Sequence, residues 1–579
     1  MKKRSVTATP SEIIVEQLAA LGVQYVFNNS GSREALFFDA LHINPNVHGI
    51  LALHEGSVAA MAGGYTQGNL DPAVMVVHLG AGLAQCLGQL INVWSGSLPV
   101  VVLTFAGDTG SYGDRVGLDL THNVGPTSIA EPFTKASWTV IESDGLPQAI
   151  ERALRVAKTP PVGPVHLAVY DRLLGNDMVS TEIIEGEIQS VRAGYPADED
   201  VEAVIRALSD AQRPLFYVGD GIWKSGAEAR VMALAEQYGC PIAGTWTEMR
   251  RTPQSHSLHC GRIAEAIAEV SPDLIVCIGV RHNGRGKPQD FDALSGAQRL
   301  IGIGPDVENF TNLPGLDLAI LADEFRTLEC LERASSQVSF AERLARAEMQ
   351  AASLHAKRKA AAKRVAREAG QVRPYVLVDA IDRGLERLGG GLMMVEQYAL
   401  PIDSRGDAYG AGRNVYVRAA GGSEGYGIGG TIGLKLAVPH KPVVGLVGDG
   451  SMYYADSGLW TAAHHQIPVL FVIPNNRSYG IVATNFERAG GVMKETGEYP
   501  GVVLDGIDPV KIAEGFGVEG MQVDEESDLE GAIARGLDVV EGEERPFLLD
   551  VKLPLGLPEG GRAATPFHLT EIRSKASAA

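Results

Sequence analysis

The chain has 579 residues, 45% of them hydrophobic, and its 70 acidic against 50 basic side chains leave a formal net charge of −20. That length exceeds what one hydrophobic core organises and points to three or four packed globular domains of about 150 residues each. The acidic excess argues against a nucleic-acid surface and for a self-repelling particle that works on small molecules.

The five cysteines, Cys86, Cys240, Cys260, Cys277 and Cys330, are odd in number and scattered, with no CxxC pair. They indicate neither a disulfide framework nor a zinc site, and a reducing cytoplasm is the expected compartment. The segment MKKRSVTATPSE is basic but leads into an amphipathic helix rather than an apolar run. Neither export nor membrane insertion is expected.

In chain order, a helix is predicted over 12–21, a strand over 25–27, a strand ending at Leu53, a helix over 57–67, a strand over 73–77, a helix over 83–93 and a strand over 100–105. Short apolar runs alternating with helical periods mean a doubly wound parallel sheet. The first domain is placed at 1–185, and a polar connector that carries Gly175, Asn176, Gly186 and Gly194 leads to the next unit. A second α/β unit, 195–335, has strands over 215–218, 241–243, 274–278 and 300–303. Within 336–372 lies a long stretch rich in Ala, Arg and Lys with no apolar core pattern, expected to be a solvated helical linker. A third α/β domain spans 373–555, and 556–579 is a Pro- and Gly-bearing tail.

The third domain carries the most informative feature. An apolar strand over 442–447 runs into Gly448-Asp449-Gly450-Ser451, and a second apolar strand stops at Asn475-Asn476-Arg477-Ser478-Tyr479-Gly480. Turns that follow adjacent parallel strands meet at the carboxyl edge of the sheet, where open α/β sheets bind ligands. Asp449, the Asn476 side chain and the Ser478 backbone carbonyl offer hard oxygen donors to Mg²⁺, whose remaining positions phosphate oxygens and water would fill. Gly448 and Gly450 let the backbone approach a diphosphate, and a helix is expected to start near Ser451 or Met452 with its free N–H groups facing it. A lone Asp-Gly turn is commonplace, so the weight rests on the whole constellation.

The Gly-Asp-Gly to Asn-Asn pattern resembles the cofactor motif of thiamine diphosphate enzymes. The three-domain layout is similar to that of the 2-oxo acid decarboxylase and acetolactate synthase superfamily. Local likeness is greatest to benzoylformate decarboxylases, in LVGDGSMYYADSGLWTAAHHQIPVLFVIPNNRSYG and GNLDPAVMVVHLGAGLAQCLGQLINVWSGSLPVVVL. The resemblance implies pyrimidine-binding, central and diphosphate-binding domains, with thiamine diphosphate and Mg²⁺ as cofactors. It also implies a homo-oligomer, a tetramer built from dimers, in which Glu55 of one subunit meets Asp449 of another.

By the same resemblance, Glu55 in GILALHEGSVAAMAGGYTQ is the carboxylate that activates the cofactor through its aminopyrimidine ring, placed at the end of an apolar strand. Ser32 in NNSGSREAL aligns with a substrate-binding serine, and His78 in VVHLGAG with a proton-relaying histidine. His122 in LDLTHNVGPTS occupies a region where pyruvate decarboxylase-like enzymes carry a His pair and acetolactate synthases a Gln. His282 in GVRHNGRG matches a second histidine of benzoylformate decarboxylases, yet RHNGR also echoes an Arg-bearing loop that holds FAD in acetolactate synthases, and both readings stand. Gly448, Gly450, Ser451, Tyr479, Gly422 and Glu424 are the remaining cofactor contacts. Glu424 departs from the family, which has a bulky apolar residue beneath the cofactor before the Gly-aromatic step, here Gly425-Tyr426. Either it supports the cofactor as a carboxylate or it points elsewhere. His464 and His465 are expected to be surface or packing residues, and Gly219-Asp220-Gly221 a plain turn.

The activity implied is non-oxidative decarboxylation of a 2-oxo acid to an aldehyde. The alternatives are carboligation, which joins the same activated acyl unit to a second carbonyl compound, and cleavage of a diketone or a 2-hydroxyacyl thioester. A cofactor-binding subunit without catalysis would dispense with the activating carboxylate or the metal donors, yet Glu55, Asp449 and Asn476 are all present.

Overall fold

The computed structural model describes residues 2–29, 31–107, 125–189, 191, 193–245, 249–250, 256–281, 294–313, 315–335, 339–396, 414–496, 501–504 and 506–554. Three six-stranded parallel sheets follow one another along the chain, each with helices on both faces. Strands such as Ala73–Val76, Val443–Val447 and Leu470–Asn475 are buried along their whole length, as strands covered on both faces must be.

The first sheet is ordered His48–Leu51, Tyr25–Asn28, Ala73–Val76, Val100–Ala106, Val165–Tyr170, Ala136–Val140. Numbered within the domain, that order is 2-1-3-4-6-5. The third sheet repeats it with Val415–Arg418, Leu392–Glu396, Val443–Val447, Leu470–Asn475, Phe547–Lys552 and Glu519–Val523. The central sheet is different, 3-2-1-4-5-6, beginning at His259–Arg262 and ending at Leu318–Leu321. A ligand crevice opens where the winding direction reverses. In the outer domains that point lies between the first and third strands, and their carboxyl ends carry the candidate residues.

Two elements differ from the sequence expectation. Lys2–Ala8 pairs antiparallel with Val179–Glu185 in a two-stranded ribbon, so the connector is partly β-structure. The Ala341–Ala362 helix is no purely solvated linker: Ala347, Ala351 and Leu354 are buried in the hydrophobic clusters of the central domain. Alanines give so weak an apolar signal that the stripe reads as polar.

The outer domains are joined by two glycine-bearing helices, Glu55–Asn69 and Gly427–Ala437. A Cβ on Gly64 would lie 2.1 Å from the Gly430 carbonyl oxygen, and one on Gly433 would lie 1.9 Å from that of Met61. Only glycine permits this backbone-on-backbone crossing. His465 Nε2 accepts the Leu51 N–H at 2.9 Å, so it ties the edge of the first sheet to the third domain rather than merely packing, while His464 stacks on Trp460. Among the described residues no helix is long and apolar enough to cross a membrane, and all five cysteines are free.

Candidate active site

In the third domain, Val443–Val447 and Leu470–Asn475 are paired neighbours, so the turns that follow them lie side by side. Between them is a cavity walled by Glu396, Glu424, Gly448, Asp449, Gly450, Ser451, Tyr454, Asn476, Ser478 and Tyr479, with Ile481 and Val482 at its apolar side. The helix expected to start near Ser451 or Met452 begins at Asp449 itself and is a single turn, Asp449–Met452. Gly450 serves a second purpose: a Cβ there would lie 2.7 Å from Tyr479 Cε1, so its bareness makes room for that ring.

The two asparagines have separate tasks. Asn475 Nδ2 donates to Asp550 Oδ1 at 2.8 Å, and Asn475 Oδ1 accepts the Arg477 N–H at 3.1 Å, which fixes the turn. Arg477 there adopts φ +55°, and Asn476 Oδ1 accepts the Ser478 N–H at 3.2 Å. Asp449, Asn476 and Ser478 are all buried. Burial pushes the Asp449 carboxyl up to about 7 against backbone N–H groups that lower it. Asp449 Oδ2 and Ser478 Oγ are buried without a hydrogen-bond partner among the described residues. An orphaned buried carboxylate oxygen beside an amide and a carbonyl suits a hard cation. Among the described residues no group of three or more His, Cys, Asp or Glu side chains could hold a metal ion.

Glu396 ends the first strand of this domain and was not foreseen from the sequence. Its carboxylate accepts the backbone N–H groups of Tyr426 and Gly427 at 2.8 and 2.6 Å. Burial first, and the Glu424 carboxylate second, push its carboxyl up to about 8. Glu424 lines the cavity. Ser451 Oγ hydrogen-bonds Glu424 Oε2. Gly422 is exposed, lies outside the described cavity wall, and its N–H is held by Asn92 Oδ1 at 3.0 Å.

The loop that carries Glu424 is positioned by amides from the first domain. Asn92 Nδ2 donates to Ser423 O and Gln89 Nε2 to Glu424 O, each at 2.7 Å. Gln67 accepts from the Tyr426 hydroxyl at 2.7 Å and donates to Arg418 O at 2.9 Å. Gln67, Gln89 and Asn92 lie on helices whose apolar pattern hides them. Buried amides on otherwise apolar helices were the available signal.

A second cluster forms at the equivalent edge of the first sheet. Glu55 is the first residue of its helix, not the last of a strand, and is half-buried. Its Oε1 lies 3.0 Å from where a Cβ on Gly82 would be, and His78 Cβ lies 3.2 Å from the same point, so the two side chains converge there. His78 Nδ1 is 3.0 Å from Oε1 of Glu34, which is fully buried. Glu34 also accepts the Gly31 N–H at 2.9 Å, and a Cβ on Gly31 would lie 2.4 Å from His78 Nδ1. Glu34 was missed by the sequence reading; its signal is a carboxylate three residues after a glycine that opens a turn. Ser32 is exposed at the start of that Ser32–Glu34 turn. Glu55 is absent from the described wall of the Asp449 cavity. His122 and His282 lie outside the described residues.

In the central domain, a Cβ on Gly221 would lie 2.1 Å from Glu324 Oε1 and 2.6 Å from Gly279 Cα. A buried carboxylate therefore fills the Gly219-Asp220-Gly221 turn. Arg281, next to His282, turns its guanidinium onto the Trp94 and Ser95 carbonyls at the end of a first-domain helix.

Residues 8–125 match the N-terminal TPP binding domain of thiamine pyrophosphate enzymes, 201–331 their central domain and 407–551 their C-terminal TPP binding domain. The benzoylformate decarboxylase of Pseudomonas aeruginosa is 28% identical over 93% of this chain and 97% of its own length. The acetolactate synthase isozyme 3 large subunit of Escherichia coli is 23% identical over 93% of this chain and 94% of its own. Among solved structures, the thiamine diphosphate-dependent 4-hydroxybenzoylformate decarboxylase of Rhodococcus jostii RHA1 superposes with a TM-score of 0.78 at 26% identity, covering 95% of this chain and 99% of that one. With all three domain models matched in order and the sheets arranged to suit, the chain belongs to the thiamine pyrophosphate enzymes, among the relatives of benzoylformate decarboxylase and acetolactate synthase.

Proposed function

We propose that this protein decarboxylates a 2-oxo acid to an aldehyde with thiamine diphosphate and Mg²⁺. The observation that supports this reading is that Glu55 Oε1 and His78 Cβ both approach the Gly82 position, with the His78 ring held against the buried Glu34. Asp449, the Asn476 side chain and the Ser478 carbonyl would hold the metal, with Gly448, Ser451 and Tyr479 around the diphosphate. Bound thiamine diphosphate supplies an electron sink for the electrons released as carbon dioxide leaves.

The chain's own residues handle protons and position. Glu55 takes up and returns a proton at its carboxylate. Glu34 faces His78 Nδ1 and orients the imidazole, the proposed carrier of a proton to and from the reacting carbon. The Ser32 hydroxyl, at the same edge, donates to the substrate carboxylate, and His122 and His282 are further proton-transfer candidates. Because Glu55 does not wall the Asp449 cavity, the complete site is proposed to form between two copies of the chain, with a tetramer as a pair of such dimers.

Carboligation is the second reading, supported by the near full-length match to an acetolactate synthase. It differs in whether a proton or a second carbonyl compound receives the acyl unit. Incubation with pyruvate or benzoylformate, with and without added aldehyde, distinguishes them. The proposal expects carbon dioxide and free aldehyde in equal amounts, and 2-hydroxy ketone as the main product would favour the second reading.

A further inference from the structure

Glu424 stands at the junction of two cavities. One is the Asp449 cavity, and the other is lined by His54, Gly56, Ser57 and Gln85 together with Glu424 and Tyr454. Its position is fixed on every side: Gln89 holds its carbonyl, Asn92 holds the N–H groups of Gly422 and Ser423, and Gly425 turns the chain at φ +96°. Ser451 holds one of its carboxylate oxygens.

The wall around it is rich in carboxyl groups. Glu396 lies close enough for the two carboxyls to interact, and Asp449 lies in the same wall. Arg418, itself buried, acts on Glu424 as a cation. Of the three acids, Glu396 spends both oxygens on backbone N–H groups and Asp449 faces the candidate metal position, which leaves Glu424 as the carboxylate available to a ligand's organic part. Burial raises the Glu424 carboxyl, so a cation arriving beside it gains by relieving that cost.

In thiamine diphosphate a two-carbon arm joins the diphosphate to a ring with a fixed positive charge, so that ring cannot lie far from the metal end. We infer that Glu424 makes this site selective for the cationic ring over a neutral ring of the same shape, a specificity residue that acts by charge where bulk alone would not discriminate. The inference rests on the cofactor reading above.

The test compares binding of thiamine diphosphate and its deaza analogue, whose ring is isosteric but uncharged, to the full-length apo-protein with Mg²⁺, by calorimetric titration. Wild type, Glu424→Gln and Glu424→Leu are measured, the amide serving where an apolar replacement impairs folding. The preference for the cationic over the neutral ring should fall on the order of tenfold in each variant that folds, as expected for loss of a partly screened charge at close range. A preference unchanged within about twofold, with both ligands still bound, would overturn the inference alone. If neither ligand binds wild type, the cofactor reading fails and the inference with it.

Discussion

The Oε1 atom of Glu34 lies 3.0 Å from His78 Nδ1, and Glu34 is fully buried while His78 is partly exposed. A buried acid that spends one interaction on the Gly31 N–H and another on an imidazole orients that imidazole. His78→Ala should lower kcat by about 10²-fold or more, the usual range for a lost proton-transfer group. Glu34→Gln should lower kcat by about tenfold while KM stays within about threefold, because orientation is lost and the binding groups remain. Steady-state kinetics on both variants checks this; equal loss in KM with kcat intact would place the pair in substrate binding.

The helix crossing that joins the outer domains leaves no room for a methyl group. Gly64→Ala would put a carbon 2.1 Å from the Gly430 carbonyl oxygen, an atom that a side-chain rotation cannot move. Overpacking of this kind costs about 1–3 kcal/mol, so the urea midpoint should fall. An unchanged midpoint would mean that the helices part without cost.

Metal and cofactor should stabilise the protein through Asp449. Saturating thiamine diphosphate with Mg²⁺ should raise the wild-type melting temperature by several degrees, since a ligand at about 100 times its Kd contributes about 2.7 kcal/mol. Asp449→Asn should keep its fold and lose most of that rise, as read by differential scanning fluorimetry. A full rise in the variant would remove Asp449 from the metal site.

Burial pushes the Glu324 carboxyl up to about 8, so the native state holds its proton where the unfolded chain has released it. Its stabilising contribution is complete below the ordinary carboxylate range and is lost as pH rises through about 8. Lys224 nearby is lowered to about 8 by burial and opposes this only above that pH. Thermal stability of the apo-protein should therefore fall between about pH 5.5 and about pH 8, and Glu324→Gln should make that fall shallower, with Glu396 and Asp449 supplying the remainder. Parallel curves for the two proteins would show that Glu324 does not contribute.

Much of this was legible before the structure. The Asp449 and Asn476 turns stand out because glycines, an acid and amides punctuate two apolar strands, and buried parallel strands are the strongest signal that an α/β chain gives. Glu34, Glu396, Gln67, Gln89 and Asn92 were not singled out, because each acts by holding another residue and their signals, a carboxylate three residues after a glycine or an amide on an apolar helix, are faint. The shared 2-1-3-4-6-5 order of the outer sheets was also hidden, since topology repeats where sequence does not. Had it been visible, Glu396 would have stood out as occupying the strand end that Asn28 occupies in the first domain. The Ala347–Ala351 stripe was hidden for a different reason: alanine buries well but contributes little to an apolar pattern.

The central claim is that Glu55 of one copy and Asp449 of another complete a thiamine diphosphate site that releases carbon dioxide from a 2-oxo acid. Glu55→Gln and Asp449→Asn chains, each inactive alone, should be co-expressed and the purified mixture assayed for cofactor-dependent carbon dioxide release. Random pairing in a dimer restores one intact site in each mixed pair, so about a quarter of wild-type activity is expected. Activity no higher than that of the single variants, from a mixture shown to contain both chains in one particle, would contradict the account.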